Sequence, residues 1–190
     1  RETQSENQSI SGIGDITVLA LTTVFKSKTD TVSTSFKHNL QAGMGVKLPT
    51  GAYKQANSGS VNPSFQLGTG SWDVLLTSEY VIKKKKFGLN NMINYIIKNE
   101  NGKYYRFGNQ FNYASTIFYL FENKKFAFAP QIGLAGELYE SNYQYNQKVK
   151  NTSGDVLFSK FGFELGYKKW SFGSNLQLPI NQNLVGGLVE

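Results

Sequence analysis

Lys37-His38-Asn39-Leu40-Gln41-Ala42-Gly43-Met44-Gly45-Val46-Lys47-Leu48 is the stretch that decides the fold. Leu40, Ala42, Met44, Val46 and Leu48 share one face of an extended chain, and Asn39, Gln41, Gly43, Gly45 and Lys47 share the other. This is the period of two of a strand, not the 3.6 of a helix. The same alternation recurs on both sides. Trp72, Val74, Leu76, Tyr80 and Ile82 stand opposite Asp73, Thr77 and Glu79. Tyr105, Phe107, Phe111, Tyr113, Ile117 and Tyr119 stand opposite Arg106, Gly108, Gln110, Asn112 and Thr116. Trp170, Phe172, Leu176, Leu178 and Ile180 stand opposite Ser171, Gly173, Asn175 and Gln177. Working outward, the sequence predicts roughly eight strands, over 14–25, 36–48, 72–82, 87–98, 105–121, 126–139, 157–167 and 170–180. Most are long enough for a tilted strand to cross a bilayer. The first has apolar residues on both faces.

The breaks between these segments alternate in length. Those at 83–86, 122–125 and 168–169 are short, and those at 49–71, 99–104 and 140–156 are longer; the break at 26–35 does not fit the rhythm. Short turns at one end and long loops at the other are the asymmetry of outer-membrane barrels. A soluble barrel produces the same alternation with its apolar face turned inward, so the residue types must decide between the two. The polar face mixes Gly, Asn and Gln with single charges of both signs. Aromatic residues gather near segment ends (Trp72, Tyr80, Phe87, Tyr105, Tyr119, Phe121, Phe126, Tyr139, Tyr167, Trp170), as an interfacial girdle requires. The expected fold is therefore all-β, an antiparallel transmembrane β-barrel. Residues 1–190 form its single domain, which is expected to be incomplete at both ends, with about 10 to 12 strands in the whole barrel.

Composition agrees and narrows the function. Mean hydropathy is −0.36, and no apolar run reaches the length of a membrane helix, but a barrel hides its apolar face in alternate residues. With 14 Phe and 11 Tyr the chain is rich in aromatics, and without Cys it has neither disulfides nor thiolate metal ligands. The net charge of +7 comes mostly from lysines at turns. No nucleic-acid motif accompanies them, so nucleic acid is not an expected partner. His38 is the only histidine, which excludes a multi-histidine metal site within the chain and leaves any catalytic triad to rest on it alone. Gly12-Ile13-Gly14-Asp15 superficially suggests a phosphate loop, but the β-branched run after it reads as a strand, so the motif is a turn entering that strand. The Lys83–Lys86 run reads as a hydrated hairpin turn in preference to a lipid-headgroup site. Asp73, Glu79, Glu137 and Glu164 are spread over three strands without a supporting catalytic motif, and ion pairing or tuning of permeation is their expected role. No catalytic residue, metal or cofactor is expected, and the chain is not expected to be an enzyme.

Three short elements also carry a resemblance. Gly12-Ile13-Gly14-Asp15, then Lys47-Leu48-Pro49-Thr50-Gly51, then Gly68-Thr69-Gly70-Ser71-Trp72-Asp73 occur in the order found in an outer-membrane transporter family. The chain resembles this family, which is filed under the meta-pathway of phenol degradation, over about its first 75 residues. The resemblance implies a monomeric barrel that passes small, often hydrophobic or aromatic compounds. The residues expected to line its lumen are Lys47, Asp73, Glu79, Asn94, Arg106, Gln110, Asn112, Gln131, Glu137, Lys160, Glu164, Asn175 and Gln177. Three functional readings stay open. The first is a passive outer-membrane channel for small molecules in a bacterial outer membrane, surrounded by its lipid. The second is a structural or accessory barrel that binds membrane-complex partners through loops 49–71 and 140–156. The third is a soluble barrel that binds an apolar ligand.

Overall fold

The computed structural model describes residues 10–27, 35–54 and 63–185. In these, the long strands are β1 (Ile16–Lys26), β2 (Lys37–Leu48), β3 (Asp73–Lys84) and β4 (Phe87–Ile97). A two-residue β5 (Tyr105–Arg106) precedes β6 (Gln110–Tyr119), and a two-residue β7 (Phe121–Glu122) precedes β8 (Phe126–Tyr139). The short β9 (Tyr143–Gln144) and β10 (Gln147–Lys148) lead to β11 (Gly154–Tyr167) and β12 (Trp170–Asn183). One 3-10 turn, Pro63–Phe65, lies between β2 and β3.

The long strands form one antiparallel sheet in the order β1-β2-β3-β4-β6-β8-β11-β12, with β7 pairing β8 off that path. Each strand neighbours the next long strand in sequence, as short reversing connections require. The turns at Lys85–Lys86 and Lys168–Lys169 close two-residue hairpins, and the first residue of each takes positive φ (53° and 54°).

Residues paired across neighbouring strands point to the same face, so the register sorts the whole sheet into two surfaces. One row runs Met44, Leu76, Tyr95, Phe111, Leu138, and another runs Ile82, Leu89, Ile117, Ile132, Phe161, Leu176. These rows belong to an apolar face most of whose large side chains stand exposed: Val18 is 61% exposed, Met44 63% and Ile117 55%. On the opposite face one row runs Thr77, Asn94, Asn112, Glu137, and another runs Asn39, Val81, Asn90, Thr116, Gly133, Lys160, Gln177. The buried side chains Asp73, Thr116, Ala114, Ala129, Ala135 and Val156 belong to this polar face. The usual distribution of a soluble protein, with apolar residues inside, is thus reversed.

Among the described residues β1 and β12 are each paired on one side only, so the sheet is open and no closed barrel is formed. Two expectations need correction. The segment 105–121 is not one long strand but breaks at 107–109. There Asn109 Oδ1 accepts the Lys98 N–H (3.0 Å) and Asn142 Oδ1 accepts the Gly108 N–H (2.8 Å), so side chains take donors that a ladder would have used. The loop 140–156 is partly ordered as a hairpin of β9 and β10, and β9 pairs β5 to build a separate three-stranded sheet. This small sheet and the 63–71 segment form a cap at the long-loop end. Of the irregular break at 26–35, residues 28–34 lie outside the described residues.

Candidate functional site

In an antiparallel meander the start of β1, the end of β2 and the start of β3 meet at the same end of the sheet. Ile16 pairs Leu48, and Lys47 pairs Asp73. The three sequence elements at 12–15, 47–51 and 68–73 therefore come together, and they do so around one ammonium. Lys47 Nζ lies 3.0 Å from Asp15 Oδ2 and 2.6 Å from Asp73 Oδ2, and it also donates to Thr69 Oγ1. Asp15 accepts the Gly51 N–H (2.9 Å) on one oxygen and both the Thr69 N–H (2.9 Å) and its hydroxyl (3.0 Å) on the other. Asp73 is only 1% exposed and accepts the Ser71 hydroxyl (2.8 Å) and the Asn99 N–H (3.0 Å). Thr50 Oγ1 donates to Gly14 O (3.1 Å) and accepts the Ile16 N–H (3.0 Å), which closes the top of β1.

A buried ion pair costs desolvation unless its remaining hydrogen-bonding positions are filled; here backbone N–H groups and hydroxyls fill those of Asp15 and of Asp73 Oδ1, while Asp73 Oδ2 relies on Lys47. Burial pushes the Asp15 carboxyl up, but the Thr69 and Gly51 N–H groups and Lys47 outweigh it and hold the carboxyl below its ordinary range. Gly68 permits the close approach. A Cβ there would lie 2.5 Å from Asp15 Oδ1 and 2.6 Å from Gly51 O, so any side chain would drive the loop off the strand ends. Asn101 Nδ2 donates to Thr69 O (2.8 Å) and links this cluster to the cap.

The polar network continues across the sheet beneath the cap. Lys98, just beyond β4, donates to Gln110 Oε1 (3.1 Å), and Gln110 Nε2 donates to Asn112 Oδ1 (2.9 Å). Burial pushes the Lys98 ammonium below the ordinary lysine range; Asp73 opposes that shift, Lys47 adds to it and Glu137 opposes it again. Asn112 is the cross-strand partner of both Asn94 and Glu137, while Thr77 bonds Asn94, and Asn90 bonds Glu79 (2.6 Å). Among the described residues, three cavities lie here. One of about 160 Å³ sits in the cap among Tyr53, Tyr105 and Tyr145, and one of about 350 Å³ lies over Asp15, Lys47 and Asp73. The third, of about 770 Å³, lies over Glu137, Val156 and Phe158.

The register puts the sequence-predicted site residues on the polar face, with Arg106 the exception. Lys47, Asp73, Glu79, Asn94, Gln110, Asn112 and Glu137 stand on the half of the sheet nearer the cap or in contact with that network. Gln131, Lys160, Glu164, Asn175 and Gln177 lie further toward the short turns. Arg106 belongs to the cap sheet, where its guanidinium lies 4.4 Å from the centre of the Tyr143 ring. Phe107, expected on the apolar face, instead lines all three cavities. Sequence reasoning missed the roles of Asp15, Thr69, Ser71, Lys98 and Asn99. For the first three the signal was present, because each lies in one of the ordered elements. Lys98 and Asn99 follow an ordinary strand end and carry no local mark.

A search of curated proteins gives no significant match. Residues 1–183 match the family model described as putative MetA-pathway of phenol degradation, and the chain belongs to that family.

Proposed function

We propose that this protein is an outer-membrane β-barrel that lets small molecules pass along its polar face. The observation that carries this reading is the reversed distribution of side chains on one continuous sheet. Large apolar residues stand exposed on one face, and the opposite face carries a charged and amide-rich surface with buried Asp73 and Thr116. Exposed apolar surface on that scale needs an apolar solvent, and lipid supplies one. In this reading the edges β1 and β12 are covered in a closed barrel of about 10 to 12 strands, the polar face becomes a narrow lumen, and the cap stands over its outer mouth. A bacterial outer membrane is the location, and lipid is the partner of the apolar face.

The test is reconstitution of the full chain in planar bilayers. Discrete conductance steps are expected, and persistent silence of protein shown to be folded by heat-modifiable gel migration contradicts the channel. A second reading, an accessory barrel that docks partners on its loops, is favoured by one feature. Tyr104 and Tyr145 stack on the cap with ring centres 5.5 Å apart, both exposed (58% and 68%) and both at positive φ. Exposed aromatics held in a costly backbone region are a frequent mark of a binding surface. Protein silent in bilayers that co-purifies with a stable membrane partner would favour this second reading.

A further inference from the structure

We infer that Phe107 is the constriction of the passage and sets its size limit, an inference that rests on the channel reading. Phe107 lines all three cavities: the cap cavity of about 160 Å³, the one of about 350 Å³ over Lys47 and Asp73, and the one of about 770 Å³ over Glu137 and Val156. In the channel reading, a solute entering by the cap cavity would reach the space over the sheet past this shared ring. The ring packs edge-on against Tyr105 with centres 5.0 Å apart, and Lys98 Nζ lies 5.9 Å from its centre.

The backbone around Phe107 holds the ring there. The strap 107–109 joins the cap to the start of β6, and it is pinned on three sides. Gly108 N–H donates to Asn142 Oδ1 (2.8 Å), Glu140 N–H donates to Asn109 O (2.9 Å), and Lys98 N–H donates to Asn109 Oδ1 (3.0 Å). At Gly108 a Cβ would lie 1.9 Å from Glu140 O, so the strap packs backbone against backbone and cannot retreat toward β8. Asn142 also donates to Tyr105 Oη (2.7 Å), which fixes the ring that supports Phe107. A rigid strap carrying one bulky ring at the junction of three spaces is a fixed constriction, not a mobile lid.

The experiment compares the full chain with Phe107→Ala, Phe107→Trp and Phe111→Ala. It reads single-channel conductance and the rate of liposome swelling with neutral sugars of increasing size. Phe111 points to the apolar face and serves as the control. Phe107→Ala is expected to raise conductance roughly two-fold or more and to admit larger sugars, and Phe107→Trp to lower both, as pore-lining bulk dictates. Should the alanine variant fail to fold, Phe107→Trp, which keeps a ring against Tyr105, carries the test alone. A conducting parent unchanged by either Phe107 variant overturns the inference and leaves the channel reading intact. Silence of parent and variants alike overturns both.

Discussion

At Lys47 a single ammonium holds two carboxylates from opposite sides, and its removal takes the ion-pair partner from both, leaving Asp73 only the more distant charge of Lys98. Side-chain exposure is 14% at Lys47 and 8% and 1% at Asp15 and Asp73. Breaking a buried pair by deleting one partner costs on the order of 3–5 kcal/mol. Lys47→Met is expected to lower stability by that amount in detergent unfolding, and Lys47→Met with Asp73→Asn to recover part of it. Equal stability of Lys47→Met and the parent would show that the cluster is solvated. Asp15 adds a pH signature. Its carboxyl titrates below the unfolded value of 3.8, so its stabilisation is fully present above that value and disappears only as pH falls through the lower folded value. Amide exchange at Gly51 and Thr69, corrected for intrinsic rate, should keep constant protection from about pH 7 to about pH 5 and lose it under strongly acidic conditions. Asp15→Asn should remove that acid transition. Loss of protection between those two pH values would contradict the assignment.

At the level of elements, the strands were legible and the cap was not. The period of two in β2, β3, β6 and β12 identifies both faces, because each long strand pairs with its neighbours without a change of parity over most of its length. The register shifts at Thr23/Phe25 in β1 and Leu157/Phe158 in β11 are where simple alternation fails, and Ile180 on β12 falls at the second of these. In the 105–121 segment the alternation runs on through 105–109 although the strand does not. Tyr105 and Arg106 form the short β5 of the cap sheet and not the start of β6, and a hydrogen bond from Gly108 to Asn142, distant in sequence, turns the chain between the two. The alternation therefore places Arg106 on the sheet wall, whereas it pairs Tyr143 in the cap. A one-dimensional pattern cannot report such a long-range side-chain-to-backbone bond. Asn142→Ala tests the arrangement. Loss of its bonds to Gly108 and Tyr105 should cost about 1–3 kcal/mol locally. Amide exchange should then rise in 105–108 and 143–148 while β6 stays protected. Equal protection of the cap in this variant and the parent would contradict a role for Asn142 in fixing the strap.

For the whole molecule, the sidedness of the sheet carries the functional reading, and the absence of cysteine makes it directly measurable. β6 is a suitable strand because it is paired on both sides, by β4 and β8. Its residues divide cleanly: Phe111, Tyr113, Ser115 and Ile117 on the apolar face, and Gln110, Asn112, Ala114 and Thr116 on the polar face. Single cysteines placed in turn at these positions of the full chain, labelled with a small fluorophore and reconstituted in vesicles, report contact with spin-labelled lipid by quenching. A barrel in lipid requires strong quenching at Phe111, Tyr113, Ser115 and Ile117, and weak quenching at the residues between them. Uniform quenching along the strand, none at any position, or alternation in the opposite phase would contradict a membrane-spanning β-sheet with a polar interior.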